Sequence, residues 1–298
     1  MERFDRREFL RTTTGVFGAV AAGGLLEGCG EGTERIESSD AEFRAEIPWS
    51  YAMCNESMQD RSWAEQCQVI GNAGYTGVEI ASFTLVEQGV QELSQSDRQQ
   101  MVADMEEAGI ECAGLHWLLA PPPEGLHFTH PQASRRKEAV AYLDALIDFC
   151  GDLEGDVLVF GSPKQRGIVG GISVEEATSH FADGLTQVAD HAQERGVRIL
   201  IEPLGSEQTE VVNTMADAME VVRQIDHPAI STMFDFHNTT DETEPFEVLV
   251  EKYVDHIGHV HVQEMDGTYL GTGDAATDFV PAFQKLKDLG YDKWVSLE

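Results

Sequence analysis

The chain has 298 residues, of which 42% are hydrophobic and 24% are charged. This is a globular composition, with enough residues for one large domain or two small ones. The 53 acidic residues outnumber the 20 basic ones, and the formal net charge is −33. A surface this acidic repels phosphate, which argues against a nucleic-acid partner, and it resembles the surfaces of proteins from salt-loving organisms.

Residues 1–29 are predicted to be an export signal. Arg6 and Arg7 form a twin-arginine-like motif, and an apolar stretch over residues 15–26 follows them. That stretch is too short and too rich in glycine to predict a membrane span. Cys29 stands in a lipobox-like position, so we expect twin-arginine export to the periplasm or cell surface, where a lipid on Cys29 would be the membrane contact. The alternative is a disordered N-terminus with a chance pair of arginines.

Residues 30–46 are polar and acidic, which predicts a flexible linker ahead of a folded domain over residues 47–298. Four further cysteines, at positions 54, 67, 112 and 150, lie in apolar stretches and form no CxxC pair. We interpret them as small buried side chains rather than as disulfide partners.

Short apolar runs alternate with helical patterns throughout the folded domain. This alternation predicts a parallel α/β fold, and eight units favour a closed (β/α)8 TIM barrel of about 250 residues. The chain stops after the eighth run, so we expect a barrel truncated before its last covering helix. The predicted strands lie near residues 47–53, 75–81, 110–119, 156–161, 197–202, 230–235, 257–262 and 294–298. The predicted helices lie near residues 62–73, 97–108, 134–150, 173–195, 215–225, 245–254 and 279–289.

Four metal-ligating side chains end consecutive predicted strands in the C-terminal half. They are Glu202, Asp235, His261 and Glu298. Equivalent positions on the strands of a parallel barrel converge at its C-terminal rim. Two glutamates, an aspartate and a histidine there predict a site for one hard or borderline divalent cation, such as Mn²⁺, Mg²⁺, Co²⁺ or Zn²⁺. Such a site suits chemistry on an oxygen-rich substrate.

Motifs around these four residues resemble the sugar phosphate isomerase/epimerase family of the xylose-isomerase-like TIM-barrel superfamily. They are IEPLGSEQTEVVNT, MFDFHNTTDE, IGHVHVQEMDG and LGYDKWVSLE, and the first half fits more loosely through GYTGVEIAS, GLHWLLAPPPEGLH and FGSPKQR. The resemblance implies that Glu202, Asp235, His261 and Glu298 bind one divalent metal. It also implies that Glu202 and Glu298 are an acid/base pair that removes and returns a proton beside a carbonyl, through a metal-stabilised enediolate.

Three positions depart from the pattern of the ketose 3-epimerases in this family. Asn238 stands where they have a histidine, Gln208 where they have a glutamate, and Gly267 where they have an arginine. His237 lies two residues after Asp235, hence on the same face of a strand, and we predict that it contacts the substrate. We therefore expect hydroxyl recognition to differ from that of the tagatose-type epimerases.

Four other residues are predicted to line the pocket. His116 ends the third strand, where it could bind a sugar hydroxyl or be a satisfied core histidine. Lys164 and Arg166 follow the fourth strand, where they could bind an anionic substrate group or pair with surface acids. Glu79 ends the second strand and is either a substrate contact or a support for the metal ligands.

The sequence thus predicts a metal-dependent isomerase or epimerase of a ketose or related keto-sugar. A keto-sugar or keto-inositol dehydratase or lyase would share the first proton abstraction. An endonuclease on the same barrel would need further histidine and aspartate ligands, and a non-catalytic carbohydrate-binding lipoprotein would need no turnover. The expected partner is a small sugar, and a homo-oligomer remains open.

Overall fold

The computed structural model describes residues 47–273 and 275–298. Its strands form one closed parallel barrel, in which each strand pairs with the next and the last pairs with the first. This confirms the predicted TIM barrel. The predicted signal and linker lie outside the described residues. The strands are β1 (Ser50–Cys54), β2 (Gly77–Ala81), β3 (Glu111–His116), β4 (Val157–Phe160), β5 (Arg198–Ile201), β6 (Ile230–Asp235), β7 (Ile257–Val262) and β8 (Trp294–Leu297).

Helices follow the strands and cover the outside of the barrel. Most begin within two residues of the predicted position, because a serine or threonine caps their first turn, as Ser94 does by accepting a hydrogen bond from the Asp97 amide. In the described residues they are α1 (Trp63–Asn72), α2 (Gln95–Ala108), α3 (Ala133–Asp152), α4 (Pro163–Arg166), α5 (Val174–Glu194), α6 (Met215–Ile225), α7 (Phe246–Tyr253), α8 (Ala275–Asp278) and α9 (Val280–Asp288). The short helices α4 and α8 were not predicted, because four residues are too few for a periodic pattern.

The main hydrophobic core lies between the strands and the helix layer. Phe128, Phe160 and Phe181 pack edge to face there, with ring centroids 4.9–5.8 Å apart. Gly184 sits in the middle of α5, where a Cβ atom would lie 2.4 Å from the Phe128 ring. The glycine therefore lets this ring press against the helix backbone.

Cysteines 54, 67, 112 and 150 are all free and buried, which confirms their interpretation as small core side chains. Among the described residues, no helix is both long enough and apolar enough to cross a bilayer.

A histidine joins α3 to α5 at the surface. His191 contacts Asp144 at 2.6 Å and Asp148 at 3.1 Å. Partial burial opposes the imidazolium, but both aspartates favour it, so the pKa of His191 is raised. This stabilisation is present below the unfolded-state pKa of about 6.5 and is lost as the pH rises through the higher folded-state pKa.

We expect His191→Gln to lower the free energy of unfolding by up to about 1 kcal/mol at about pH 5, and by less at about pH 9. Urea denaturation at the two pH values measures the difference. His256→Gln is the control, because His256 is exposed. Equal losses at both pH values would show that His191 contributes packing rather than charge.

Candidate functional site

The candidate site lies at the C-terminal rim of the barrel. His116 ends β3, Glu202 follows β5, Asp235 ends β6, and His261 is the penultimate residue of β7. Glu298 follows β8. Asp235 and His261 are register partners on β6 and β7. The topology thus brings all four predicted metal ligands to one end of the barrel, together with His116.

Two histidines and two glutamates form the centre of this site. His116 Nε2 lies 3.4 Å from Glu202 Oε2, and His116 Nδ1 lies 3.6 Å from Glu298 Oε1. His261 Nδ1 lies 3.0 Å from Glu298 Oε2 and 3.8 Å from Glu202 Oε1. One ligand-type atom from each of these residues lies within 4.8 Å of the other three. We call these four residues the central cluster.

Asp235 borders the central cluster but is held by its own hydrogen bonds. Its Oδ1 accepts the His237 amide at 2.7 Å, and its Oδ2 accepts Asn238 Nδ2 at 2.6 Å. The same Asn238 nitrogen is 3.1 Å from Glu202 Oε1, and Gln208 Nε2 donates to Asn238 Oδ1 at 2.6 Å. Asn238 therefore joins the two carboxylates, and two of the positions that depart from the ketose 3-epimerase pattern bind each other.

The central cluster fits a divalent cation. Its side chains are buried except for Glu298, which is 16% exposed. The contacts that His116 Nδ1, Glu202 Oε2 and His261 Nδ1 make in the cluster lack hydrogen-bond geometry, so among the described residues these buried atoms have no hydrogen-bond partner. Buried polar atoms without partners are rare, and these are the atom types that bind Zn²⁺, Mn²⁺ or Co²⁺.

The pKa values in the site follow from burial and neighbouring charge. Burial opposes ionisation of Glu202, but His116 and His261 outweigh it and hold its pKa well below the usual range. Burial raises the pKa of Asp235, and the negative charges of Glu298 and Glu202 raise it further. The adjacent carboxylates raise the pKa of His116 and of His261 despite burial. Burial and neighbouring charge thus shift the two pKa values in opposite directions, down for Glu202 and up for Asp235.

Glu79 lies in β2 and contacts His261 of the central cluster. It is fully buried, and its Oε1 is 2.9 Å from His261 Nε2 and 3.3 Å from His259 Nε2. Of the two predicted roles, these contacts favour the support of a metal ligand, and the contact of Glu79 with a substrate stays a prediction. A carboxylate at Nε2 leaves Nδ1 of His261 to face the central cluster.

Arg166 does not contact the site as predicted. Its guanidinium is fully buried and donates to the backbone oxygens of Phe160 at 3.0 Å, Glu202 at 2.7 Å and Val212 at 3.4 Å. The substrate-anion prediction for Arg166 is therefore wrong, because all the donors that make contacts point to main-chain carbonyls. Lys164 lies on the same helix, α4, and is exposed; its contact with a substrate stays a prediction.

The loop after β7 forms one side of the rim. Glu264 is 1% exposed and accepts hydrogen bonds from the Gly271, Gly273 and Ala275 amides at 2.9–3.1 Å. The His237 ring also contacts this loop, with Nδ1 at 3.2 Å from the Glu264 carbonyl oxygen. His237 therefore lies at the rim, and its contact with a substrate stays a prediction.

Sequence reasoning missed two residues at the site. Asn238 was noted only as a departure from the family pattern, although its spacing of three from Asp235 is the signal that places it there. Glu56 follows β1 and is half-buried, and its pKa is raised by burial and by the charge of Glu298. Nothing in the pattern around Glu56 distinguishes it from a surface acid.

Comparisons with known proteins agree with this architecture. The profile of a family described as xylose isomerase-like TIM barrel matches residues 67–298. A probable ketose 3-epimerase from Synechocystis sp. is 25% identical over 76% of this chain and 74% of its own length. A ketose 3-epimerase from Arthrobacter globiformis is 28% identical over 55% of this chain, which spans about half (53%) of that protein.

The barrel also resembles a solved structure. A crystal structure of D-psicose 3-epimerase in the presence of D-fructose superposes with a TM-score of 0.73, covering 84% of each chain at 16% sequence identity. At this identity the likeness concerns the fold.

Proposed function

Because the chain belongs to the xylose isomerase-like TIM barrel family, we propose that it is a divalent-metal-dependent epimerase of a ketose or related keto-sugar. The observation that carries this proposal is the central cluster, in which two carboxylates and two imidazoles offer ligand atoms within 4.8 Å of one another. The similarity to ketose 3-epimerases supports the substrate class.

Glu202, His261 and Glu298 would hold the cation, with Asp235 or His116 completing the set. A cation bound there would polarise the substrate carbonyl and stabilise the negative charge that develops on it during proton abstraction. Asp235 could bind the cation only after giving up its hydrogen bond from Asn238. His116 already has a ligand atom within 4.8 Å of those of the other three residues.

Glu202 and Glu298 are suited to the two proton transfers. They contact opposite nitrogens of His116, so one carboxylate lies on each side of that ring. The lowered pKa of Glu202 favours its carboxylate form, and its buried Oε2, which makes only a 3.4 Å contact with His116 Nε2, can accept the proton beside a carbonyl. Glu298 would deliver a proton from the other side, which inverts the carbon.

An uncharged sugar suits the rim better than a phosphorylated one. The central cluster itself contributes the carboxylates of Glu202 and Glu298, whose negative charge repels a phosphate group. Arg166, a buried cation that contacts the Glu202 backbone oxygen, donates its hydrogen bonds to backbone carbonyls. Hydroxyl groups can donate to carboxylates, whereas a phosphate dianion cannot.

Removal of divalent cations tests the proposal. We expect epimerisation of a panel of free ketoses, followed by chromatography, to fall below detection after treatment with EDTA. Activity should return with Mn²⁺, Co²⁺ or Mg²⁺, because the carboxylates and imidazoles of the central cluster supply ligands for these ions. Circular dichroism of the chelated protein controls for unfolding. Full activity in chelator would refute the metal dependence.

Product analysis separates the epimerase from a dehydratase on the same site. An epimerase returns a sugar of unchanged mass that takes up one deuterium from D₂O. A dehydratase product is lighter by one water. A dehydrated product from a keto-sugar or keto-inositol would replace the epimerase proposal while retaining the metal site.

A further inference from the structure

A second group of ligand-type atoms shares His116 with the central cluster. Cys54 ends β1, Glu79 lies in β2, and His116 ends β3. One ligand-type atom from each lies within 4.8 Å of the other two, and all three residues are buried. We call this group the sulfur cluster. It adds a thiol to a site that otherwise has only oxygen and nitrogen donors.

Glu79 has one oxygen to spare for a ligand. Its Oε1 takes both imidazole contacts, from His261 at 2.9 Å and from His259 at 3.3 Å. Its Oε2 is buried and has no hydrogen-bond partner among the described residues. A buried carboxylate oxygen without a partner is destabilising unless a cation or a hydrogen-bond donor contacts it.

His116 belongs to both clusters, and the ligands suffice for two separate sites. Asp235 borders the first cluster and can supply a fourth ligand there once its Oδ2 gives up the hydrogen bond from Asn238. With Glu202, Asp235, His261 and Glu298 at the first position, His116 is available to the sulfur cluster. Its Nδ1 has no hydrogen-bond partner among the described residues.

We propose that Cys54, Glu79 and His116 form a second cation site, selective for a thiophilic divalent ion such as Zn²⁺ or Co²⁺. A sulfur, a nitrogen and an oxygen ligand from three adjacent strands match the ligand types of zinc sites with three protein ligands and an open fourth position. Mg²⁺ and Ca²⁺ prefer oxygen ligands and are expected to leave this position empty.

Binding at the sulfur cluster requires Cys54 to lose its proton. Burial raises the pKa of the Cys54 thiol to about 12. A bound cation stabilises the thiolate, so one sulfur–metal bond forms, one S–H bond breaks, and the proton is released to solvent. No oxidant or reductant takes part.

Cobalt titration of the full-length, metal-depleted protein tests the proposal. A cobalt–thiolate bond gives a charge-transfer absorption band in the near ultraviolet, which oxygen and nitrogen ligands do not give. We expect this band in the wild-type protein, with two Co²⁺ bound per chain at saturation by metal analysis. Cys54→Ser should abolish the band and reduce the bound cobalt to one per chain.

Two variants serve as controls. Cys67→Ser removes another fully buried cysteine that belongs to no group of metal-ligating residues among those described, and it should keep the band. Cys54→Ala repeats the test without a hydroxyl, and circular dichroism identifies any variant that fails to fold. Absence of the band from folded wild-type protein would refute the proposal, as would its persistence in folded Cys54→Ser.

The outcome is independent of the proposed epimerase. Glu202→Gln should remove turnover and keep the band, because Glu202 is not in the sulfur cluster. A band without turnover on any sugar would support the second site and count against the epimerase alone. Turnover of a sugar without the band would support the epimerase and refute the second cation site.

Discussion

Replacement of Glu202 by glutamine should reduce kcat for epimerisation by about 10²- to 10⁴-fold, the usual contribution of a general base. Glutamine keeps the shape of the side chain and can still accept from Asn238, which lies 3.1 Å from Glu202 Oε1. It cannot take a proton from carbon. The measurement is product formation from a ketose, together with uptake of deuterium from D₂O at the reacting carbon.

Glu194→Gln is the matched control, since Glu194 is exposed at the end of α5. It should leave kcat unchanged. Metal content must be measured on both variants, because loss of the Glu202 charge also weakens a cation site. An active Glu202→Gln protein would exclude Glu202 as the base and would leave Glu298 as the candidate.

Arg166→Ala should lower the free energy of unfolding by about 3–5 kcal/mol, as expected when a buried hydrogen-bonded charge is removed. The guanidinium is fully buried and donates to the carbonyl oxygens of Phe160, Glu202 and Val212. Without it, the Glu202 oxygen loses its side-chain donor in the protein interior, whereas the Phe160 and Val212 oxygens keep backbone donors from Glu202 at 3.3 Å and Leu204 at 3.2 Å. Urea denaturation at fixed salt concentration measures the loss.

Lys164→Ala is the natural control for Arg166→Ala, because both residues lie on α4 and only Lys164 is exposed. We expect its effect on unfolding to stay within about 0.5 kcal/mol. A small effect of Arg166→Ala on stability, joined to a large rise in KM for an anionic sugar, would restore the original prediction of a substrate-binding arginine.

The fold was predictable because strand-like and helix-like patterns of apolar residues alternate along the whole folded domain. Each strand of the barrel is a short apolar run, and caps such as Ser94 mark where helices begin. The short helix α4 has no such signal. The direction of its side chains depends on the turn at Ser162, which has a left-handed backbone conformation with φ of 46°. The sequence around Ser162 does not indicate that conformation. For this reason the sequence could not show that Arg166 points inward while Lys164 points outward.

The site was predictable to the level of strand ends. Glu202, His261 and Glu298 come together because the ends of parallel strands converge. The sequence did not predict that His116 rather than Asp235 would be the fourth residue of the central cluster. Asp235 is held by a hydrogen bond from Asn238, which no sequence pattern indicates. The support of His261 by Glu79 joins residues 182 positions apart, and no local pattern records such a contact.

The carboxylate of Glu264 fixes the backbone of the loop after β7 independently of the side chains that the loop exposes. Because three backbone amides of the following loop converge on this one buried side chain, the loop conformation depends little on which side chains it carries outward. Met265 and Leu270 are 38% and 43% exposed on that loop. Substitutions at these two positions are therefore expected to change the surface of the loop while its backbone path stays the same.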